Sequence, residues 1–90
     1  MTRKRFMQLL AEVNFQPQKV VAKKNGTFEI MRREYCSRTA TPDEQQKGLP
    51  DEYGKGVMKK LPHGRFELVD VRWDDSQISY LVAVVRPIRP

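Results

Sequence analysis

The stretch over residues 65–86, RFELVDVRWDDSQISYLVAVVR, limits the available folds more than any other part of the sequence, because it is the most apolar. Two runs rich in Val, Ile, Leu and aromatic residues flank the polar residues 74–76. Such runs favour β-strands, and a short polar segment between them predicts a hairpin. Strands that are apolar on both faces are usually central in a sheet, so this hairpin is expected to carry the core.

The pairing across this turn decides which side chains share a face, and we expect Trp73 opposite Ile78. Side chains alternate along a strand, so this register predicts one continuous apolar face that the helices would cover. Its members are Val69, Val71, Trp73, Ile78, Tyr80, Val82 and Val84. The other face would carry a second apolar patch, formed by Phe66, Leu68, Leu81, Ala83 and Val85. Either the chain's own helices also cover this patch, or the patch binds a partner or a second copy of the chain.

A second hairpin is predicted around Asn25-Gly26, which separates two further runs of strand-forming residues. Asn-Gly is typical of the two-residue type I′ turn, in which both central residues take positive φ. That turn would place Val21 opposite Ile30 on one face of the hairpin. The lysines near the turn are also a common means of protecting a sheet edge from further pairing, and that alternative stays open.

A helix is predicted before each hairpin. Apolar residues at the spacing i, i+3, i+4, i+7 indicate an amphipathic helix over residues 2–14, with Thr2 as its N-cap. A short helical turn is expected to start at Thr41. A second amphipathic helix is expected to start near Pro50 and to end before Pro62.

The predicted order of elements, α-β-β-α-β-β, is typical of an α+β fold with two layers. Short connections favour antiparallel neighbours, so we expect a four-stranded, mostly antiparallel sheet covered by two helices. The 90 residues are expected to form one small domain over residues 1–90. Pro87 cannot donate to a strand ladder, so residues 87–90 are expected to leave as an extended C-terminal tail.

The composition excludes several classes of protein. The only cysteine, Cys36, cannot form a disulfide framework within the chain and is typical of a reducing cytoplasm. One Cys and one His cannot supply a structural zinc site, and we expect neither a metal nor another cofactor. No apolar run approaches the roughly 18–20 residues needed to cross a bilayer, so we expect no membrane association.

The formal net charge of +6 is distributed unevenly along the chain. Residues 1–40 contain nine Lys or Arg residues against three acidic residues, whereas residues 41–90 contain eight of each. The whole excess is therefore N-terminal, which favours a polyanion or an acidic protein surface as the partner. The alternative is a well-solvated basic domain without such a partner.

The first interpretation is a small non-enzymatic protein that binds DNA or RNA. Its phosphate contacts would come from the first helix and the first hairpin, through Arg3, Lys4, Arg5, Lys19, Lys23, Lys24, Arg32 and Arg33. Tyr35 lies beside the two arginines and would stack on a base. This interpretation requires the cations to converge on one surface of the folded chain.

Two other functions stay open. A protein-binding accessory or inhibitor protein, in the form of a monomer or a homodimer, would use the apolar patch of Phe66, Leu68, Leu81 and Val85. A small RNA-cleaving enzyme is the third, since the final hairpin, which ends in Val84-Val85-Arg86, resembles that of ribosome-dependent RNA-cleaving toxins of the RelE type. The early Asn-Gly hairpin departs from their order of elements, and His63 has no orienting partner at a local spacing, so no catalytic residue is predicted.

Overall fold

The computed structural model describes residues 1–33, 49–74 and 80–88. Its elements are α1 (Arg3–Glu12), β1 (Lys19–Ala22), β2 (Phe28–Arg33), α2 (Leu49–Lys60), β3 (Phe66–Asp74) and β4 (Tyr80–Pro87). The four strands form one antiparallel sheet in the order β1-β2-β4-β3. This confirms the predicted α+β layout of two hairpins and two helices. The predicted turn at Thr41, together with Tyr35, Cys36 and Ile78, lies outside the described residues.

Local signals determine both ends of α1. The hydroxyl of Thr2 accepts a hydrogen bond from the backbone N–H of Arg5 at 3.1 Å, which confirms the predicted N-cap. At the other end Asn14 takes a left-handed φ of 57°, and the N–H of Phe15 donates to the carbonyl of Leu10 at 2.9 Å. This is a Schellman motif, in which Asn is the best-tolerated residue after Gly. It reverses the chain towards β1.

The turn between β1 and β2 differs from the predicted type I′ turn. The N–H of Lys23 donates to the carbonyl of Thr27 at 2.9 Å, and Gly26, with φ of 85°, is the only left-handed residue of the turn. This is a three-residue loop with a bulge at the glycine. The side-chain oxygen of Asn25 accepts from the N–H of Thr27 at 3.1 Å and from its hydroxyl at 2.6 Å, which stabilises the longer loop.

The longer loop shifts the register of this hairpin by one residue, so the predicted pairing of Val21 with Ile30 is wrong. Val20 pairs with Ile30, and Val21 pairs with Glu29. A slip of one residue moves every side chain of a strand to the other face of the sheet. Val20 therefore lies in the core, at 4% exposure, whereas Val21 lies on the opposite face.

The second hairpin also departs from its predicted register. Trp73 pairs with Leu81 rather than with Ile78, and an irregularity between Leu68 and Asp70 inserts one extra residue into β3. The pairing is shifted by three residues, an odd number, so the side chains of β4 that share a face with Trp73 are the opposite set from the one predicted. The predicted apolar face is therefore divided between the two sides of the sheet: Val71 and Trp73 lie on one side, and Tyr80, Val82 and Val84 lie on the other.

The main core lies between the sheet and both helices. It contains Phe6, Leu9, Leu10, Val20, Phe28, Ile30, Tyr53, Val57, Leu61, Phe66, Leu81, Ala83 and Val85. The ring of Phe6 stacks on Phe28 with centroids 4.2 Å apart and meets Phe66 edge-on at 5.4 Å. These contacts dock α1 on the sheet. We call the face that carries this core the helix side of the sheet.

The predicted partner patch belongs to this core. Phe66, Leu81 and Val85 are 4%, 0% and 0% exposed, and of the four residues proposed for the patch only Leu68, at 37%, reaches the surface. The chain's own helices cover the patch, which was one of the two alternatives, so the prediction of a partner interface on these residues is wrong. The cause is the odd shift in register, which turned Leu81 and Val85 towards the helices.

The opposite face, which we call the far side, has a smaller cluster made of strand residues. Met31, Val82 and Val84 are its buried members. Beside them the buried carboxylate of Glu29 pairs with Arg72 at 2.5 Å and with Lys23 at 3.7 Å. Neither helix contributes a residue to this cluster.

Candidate nucleic-acid interface

The alternation of side chains along β1 and β2 separates the predicted phosphate-binding residues. Lys19 pairs with Met31, and Arg33 pairs with Tyr80, so both side chains lie on the far side. Arg32 is adjacent to Arg33 in the same strand and points to the helix side. The two arginines therefore cannot act on one flat surface, contrary to the single footprint that the sequence interpretation requires.

Opposite charges partly offset each other on the far side, over the described strands and the turn between β1 and β2. Its six cations are Lys19, Lys23, Lys24, Arg33, Arg72 and Arg86, and its four carboxylates are Glu29, Glu67, Asp70 and Asp74. Several of them are paired directly: besides the pairs made by Glu29, the Nε of Arg86 donates to Glu67 at 2.6 Å. These pairs reduce the positive potential over this face.

The helix side carries the larger positive excess. Seven exposed cations stand against three exposed carboxylates on α1, α2 and the helix-facing end of β2. The cations are Arg3, Lys4, Arg5, Arg32, Lys55, Lys59 and Lys60, and the carboxylates are Glu12, Asp51 and Glu52. Four of the predicted residues are thus on this side, and three of its cations, on α2, were missed. A surface with an excess of positive charge attracts polyanions from several ångströms away.

The first turn of α1 lies against the edge strand β1. The Nε of Arg3 donates to the carbonyl of Val20 at 3.1 Å, which satisfies an outward backbone acceptor of that edge. Cations are unfavourable at a helix N-terminus, and this bond gives one of them a structural use. Arg5 makes a longer, exposed pair with Glu12 at 3.8 Å, which contributes little.

A cleft lies at the other end of α1, between residues 14–18 and α2. Its volume is about 490 Å³. It is lined by Asn14, Phe15, Gln16, Pro17, Gln18, Arg32, Glu52, Tyr53, Gly56, Val57 and Lys60. Among the residues that the structure describes, two cations, two aromatic rings, three side-chain amides and one carboxylate therefore face one concave space.

Each cation of the cleft lies over an aromatic ring. The guanidinium of Arg32 is 5.1 Å from the centroid of Tyr53, and the ammonium of Lys60 is 4.8 Å from the centroid of Phe15. Both distances are within the range of a cation–π contact. The rings restrict the two long side chains, so less conformational entropy would be lost when a ligand binds.

Tyr53 is held as a neutral phenol. Its hydroxyl donates to the carbonyl of Ile30 at 2.9 Å. Burial raises the pKa of Tyr53 to about 12, and the positive charge of Arg32 acts in the opposite direction. Near pH 7 the phenol is therefore uncharged and its ring is held in place. Arg32 contacts this ring through a cation–π interaction and not through a salt bridge to a phenolate.

Sequence reasoning missed this cleft, although part of the signal was present. Tyr53, Gly56, Val57 and Lys60 follow the spacing i, i+3, i+4, i+7 and so share one face of α2. The glycine on that stripe leaves a gap between two large side chains. What the sequence does not contain is the position of Phe15 opposite that stripe, which depends on the fold.

The described residues offer less support for metal binding, for catalysis by His63 or for a membrane span. Among residues 1–33, 49–74 and 80–88, no group of three or more His, Cys, Asp or Glu residues is placed to hold a metal ion. His63 is exposed in the turn that follows α2. Neither α1 nor α2 is long and apolar enough to span a membrane.

Comparison of the chain with protein-family profiles, with curated proteins and with solved structures found no match. Function must therefore be argued from the chemistry of the site.

Proposed function

We propose that this chain is a small non-enzymatic nucleic-acid-binding protein whose contact surface is the helix side. The observation that supports the proposal is the larger charge excess on that side, where seven cations stand against three carboxylates, compared with six cations and four carboxylates on the far side. When such a surface binds to phosphates, counterions are released from the nucleic acid, and this release drives binding whatever the base sequence. The proposed contact set is narrower than the one predicted from the sequence, since Lys19, Lys23, Lys24 and Arg33 lie on the far side and Tyr35 lies outside the described residues.

We also propose a cytoplasmic location, because a chain with one cysteine suits a reducing compartment. The protein-binding alternative is not proposed on the patch of Phe66, Leu81 and Val85, because these residues are buried in the core.

The test is binding of labelled DNA and RNA oligonucleotides, measured by fluorescence anisotropy between 50 and 200 mM salt. If about four phosphates are contacted on a single strand, affinity should fall by about 50-fold over this range. Absence of binding to every oligonucleotide at the lowest salt would contradict the proposal.

Two exposed lysines give a matched pair of variants for this assay. Lys4 lies on the helix side, and Lys19 lies on the far side. We expect Lys4→Gln to weaken binding and to reduce the slope of log affinity against log salt by about 0.7–0.9. We expect Lys19→Gln, which removes the same charge, to have a smaller effect on both quantities. The reverse order would assign the contact to the far side.

A further inference from the structure

We infer that the cleft between residues 14–18 and α2 receives one unstacked nucleotide of a single strand. Its phosphate would lie between Arg32 and Lys60, and its base would face the side-chain amides of Asn14 and Gln16. This inference rests on the proposed function and specifies the form of nucleic acid that the helix side binds.

The charge of the cleft suits a phosphate. Arg32 comes from β2 and Lys60 from α2, so the two cations approach the space from different elements. Among the described residues of the lining, one carboxylate, Glu52, opposes them, so these residues together carry one net positive charge. Because each cation already rests on a ring, at 5.1 and 4.8 Å, the pair is organised before a ligand arrives.

The amide wall suits the edge of a base. Each of Asn14 and Gln16 offers both a donor and an acceptor, as base edges do. The backbone of Asn14 is held by the left-handed turn that ends α1. The amide of Gln18 has a separate use, since its oxygen accepts a hydrogen bond from the N–H of Arg33.

The shape of the cleft favours a single strand over a duplex. A volume of about 490 Å³ lies within the range of sites that enclose small organic ligands. The wall is open at Gly56, where an added Cβ would find no atom within 4 Å. In a duplex the bases are stacked and paired, so only an unpaired strand or a free nucleotide can present a base to such a concave site.

A matched pair of lysines on α2 tests the inference. Lys60 lines the cleft, whereas its neighbour Lys59 is also exposed and does not line it. With a labelled single-stranded 12-mer, we expect Lys60→Gln to weaken binding at least fivefold and Lys59→Gln, which removes a helix-side charge outside the cleft, to weaken it by a smaller factor of about two. Gly56→Glu, which places a carboxylate in the cleft, should weaken binding more than tenfold. Thermal unfolding of each variant checks that the fold is intact.

A duplex of the same sequence and a nucleoside monophosphate complete the experiment. Weaker binding of the duplex, together with amide NMR shifts at Gln16, Gly56 and Lys60 on addition of the single strand, would support the inference. Equal effects of the two lysine variants, or equal affinity for duplex and single strand, would overturn it and leave the proposed function standing. Shifts caused by the monophosphate without strand binding would overturn both, because the ligand would then be a free nucleotide.

Discussion

Replacement of Gly54 and Gly56 by alanine separates two physical effects within one helix. The two glycines are two residues apart in α2, and each lowers helix stability by about 1 kcal/mol relative to alanine. A Cβ at Gly54 would overlap the Cγ1 of Val71 and lie 3.0 Å from the Cδ2 of Leu68, both on β3. A Cβ at Gly56 would meet nothing within 4 Å. The first glycine therefore permits close packing of α2 on β3, and the second does not.

The magnitudes follow from these contacts. Gly56→Ala should raise the free energy of unfolding by about 1 kcal/mol, which corresponds to an increase in Tm of about 4–8 °C for a domain of this size. Gly54→Ala gains the same helix propensity but overpacks the contact, which costs about 1–3 kcal/mol. Val71 is β-branched and cannot rotate away easily. The net change at Gly54 should therefore lie between zero and a loss of about 2 kcal/mol.

The assay is urea and thermal denaturation followed by circular dichroism. The control is the double variant Gly54→Ala with Val71→Ala, which removes the overlapping methyl group. It should be more stable than the sum of the two single effects predicts, by about 1 kcal/mol or more. Equal stabilisation by the two glycine variants would refute the close approach of α2 and β3.

Substitutions that test three further features of the fold, the end of α1, the ion pair of Glu29 and the buried Tyr53, use the same denaturation assay. Asn14→Gly should leave stability within about 0.5 kcal/mol of the original, whereas Asn14→Val should lower it by about 1–2 kcal/mol, because a β-branched residue disfavours a φ of 57°. Arg72→Met should lower stability by about 1–3 kcal/mol, because it leaves the buried carboxylate of Glu29 with one partner at 3.7 Å, and Glu29→Met in the same chain should restore most of the loss. The stabilisation that comes from the raised pKa of Tyr53 is complete below pH 10 and is lost as the pH rises towards 12. Stability should therefore fall between pH 9 and pH 11 by a larger amount in the original protein than in Tyr53→Phe.

The element order could be predicted because its signals are local. Thr2 caps the helix that its position indicates, and Pro17, Gly26, Pro62 and Gly64 lie between elements. The helix α2 was predicted in spite of Gly54, which weakens a helix in isolation. Gly54 is needed for tertiary packing, because it lets α2 approach Val71 closely. No local sequence pattern contains that information.

The register of each hairpin could not be predicted from the same signals. Asn25-Gly26 fits both the two-residue turn and the three-residue loop with a bulge. The side chain of Asn25, bonded to Thr27, favours the second. This difference of one residue places Val20, and not Val21, in the core. The patch of Phe66, Leu81 and Val85 was assigned to a partner because of a similar odd shift.

The candidate site was predicted only in part, because charge was counted along the chain rather than over the surface. Arg32 was predicted to bind phosphate together with its neighbour Arg33. Its position in the cleft depends instead on Tyr53, which follows it by 21 positions in the sequence. Lys60 was missed because it belongs to the neutral half of the sequence. Its contact with Phe15 depends on the fold, because the two residues are far apart in the sequence.

The folded charge distribution also explains why the N-terminal excess does not give one positive surface. The carboxylates Glu67, Asp70 and Asp74 belong to β3, and strand pairing brings them to the far side together with Lys19, Lys23 and Arg33. The acids of the second half thus offset the basic first hairpin on that face. On the helix side α2 adds three cations and only two acids, so the positive charge of α1 is retained. This retained charge is why we propose that a polyanion binds across the two helices, and that one of its bases enters the cleft at their junction with β2.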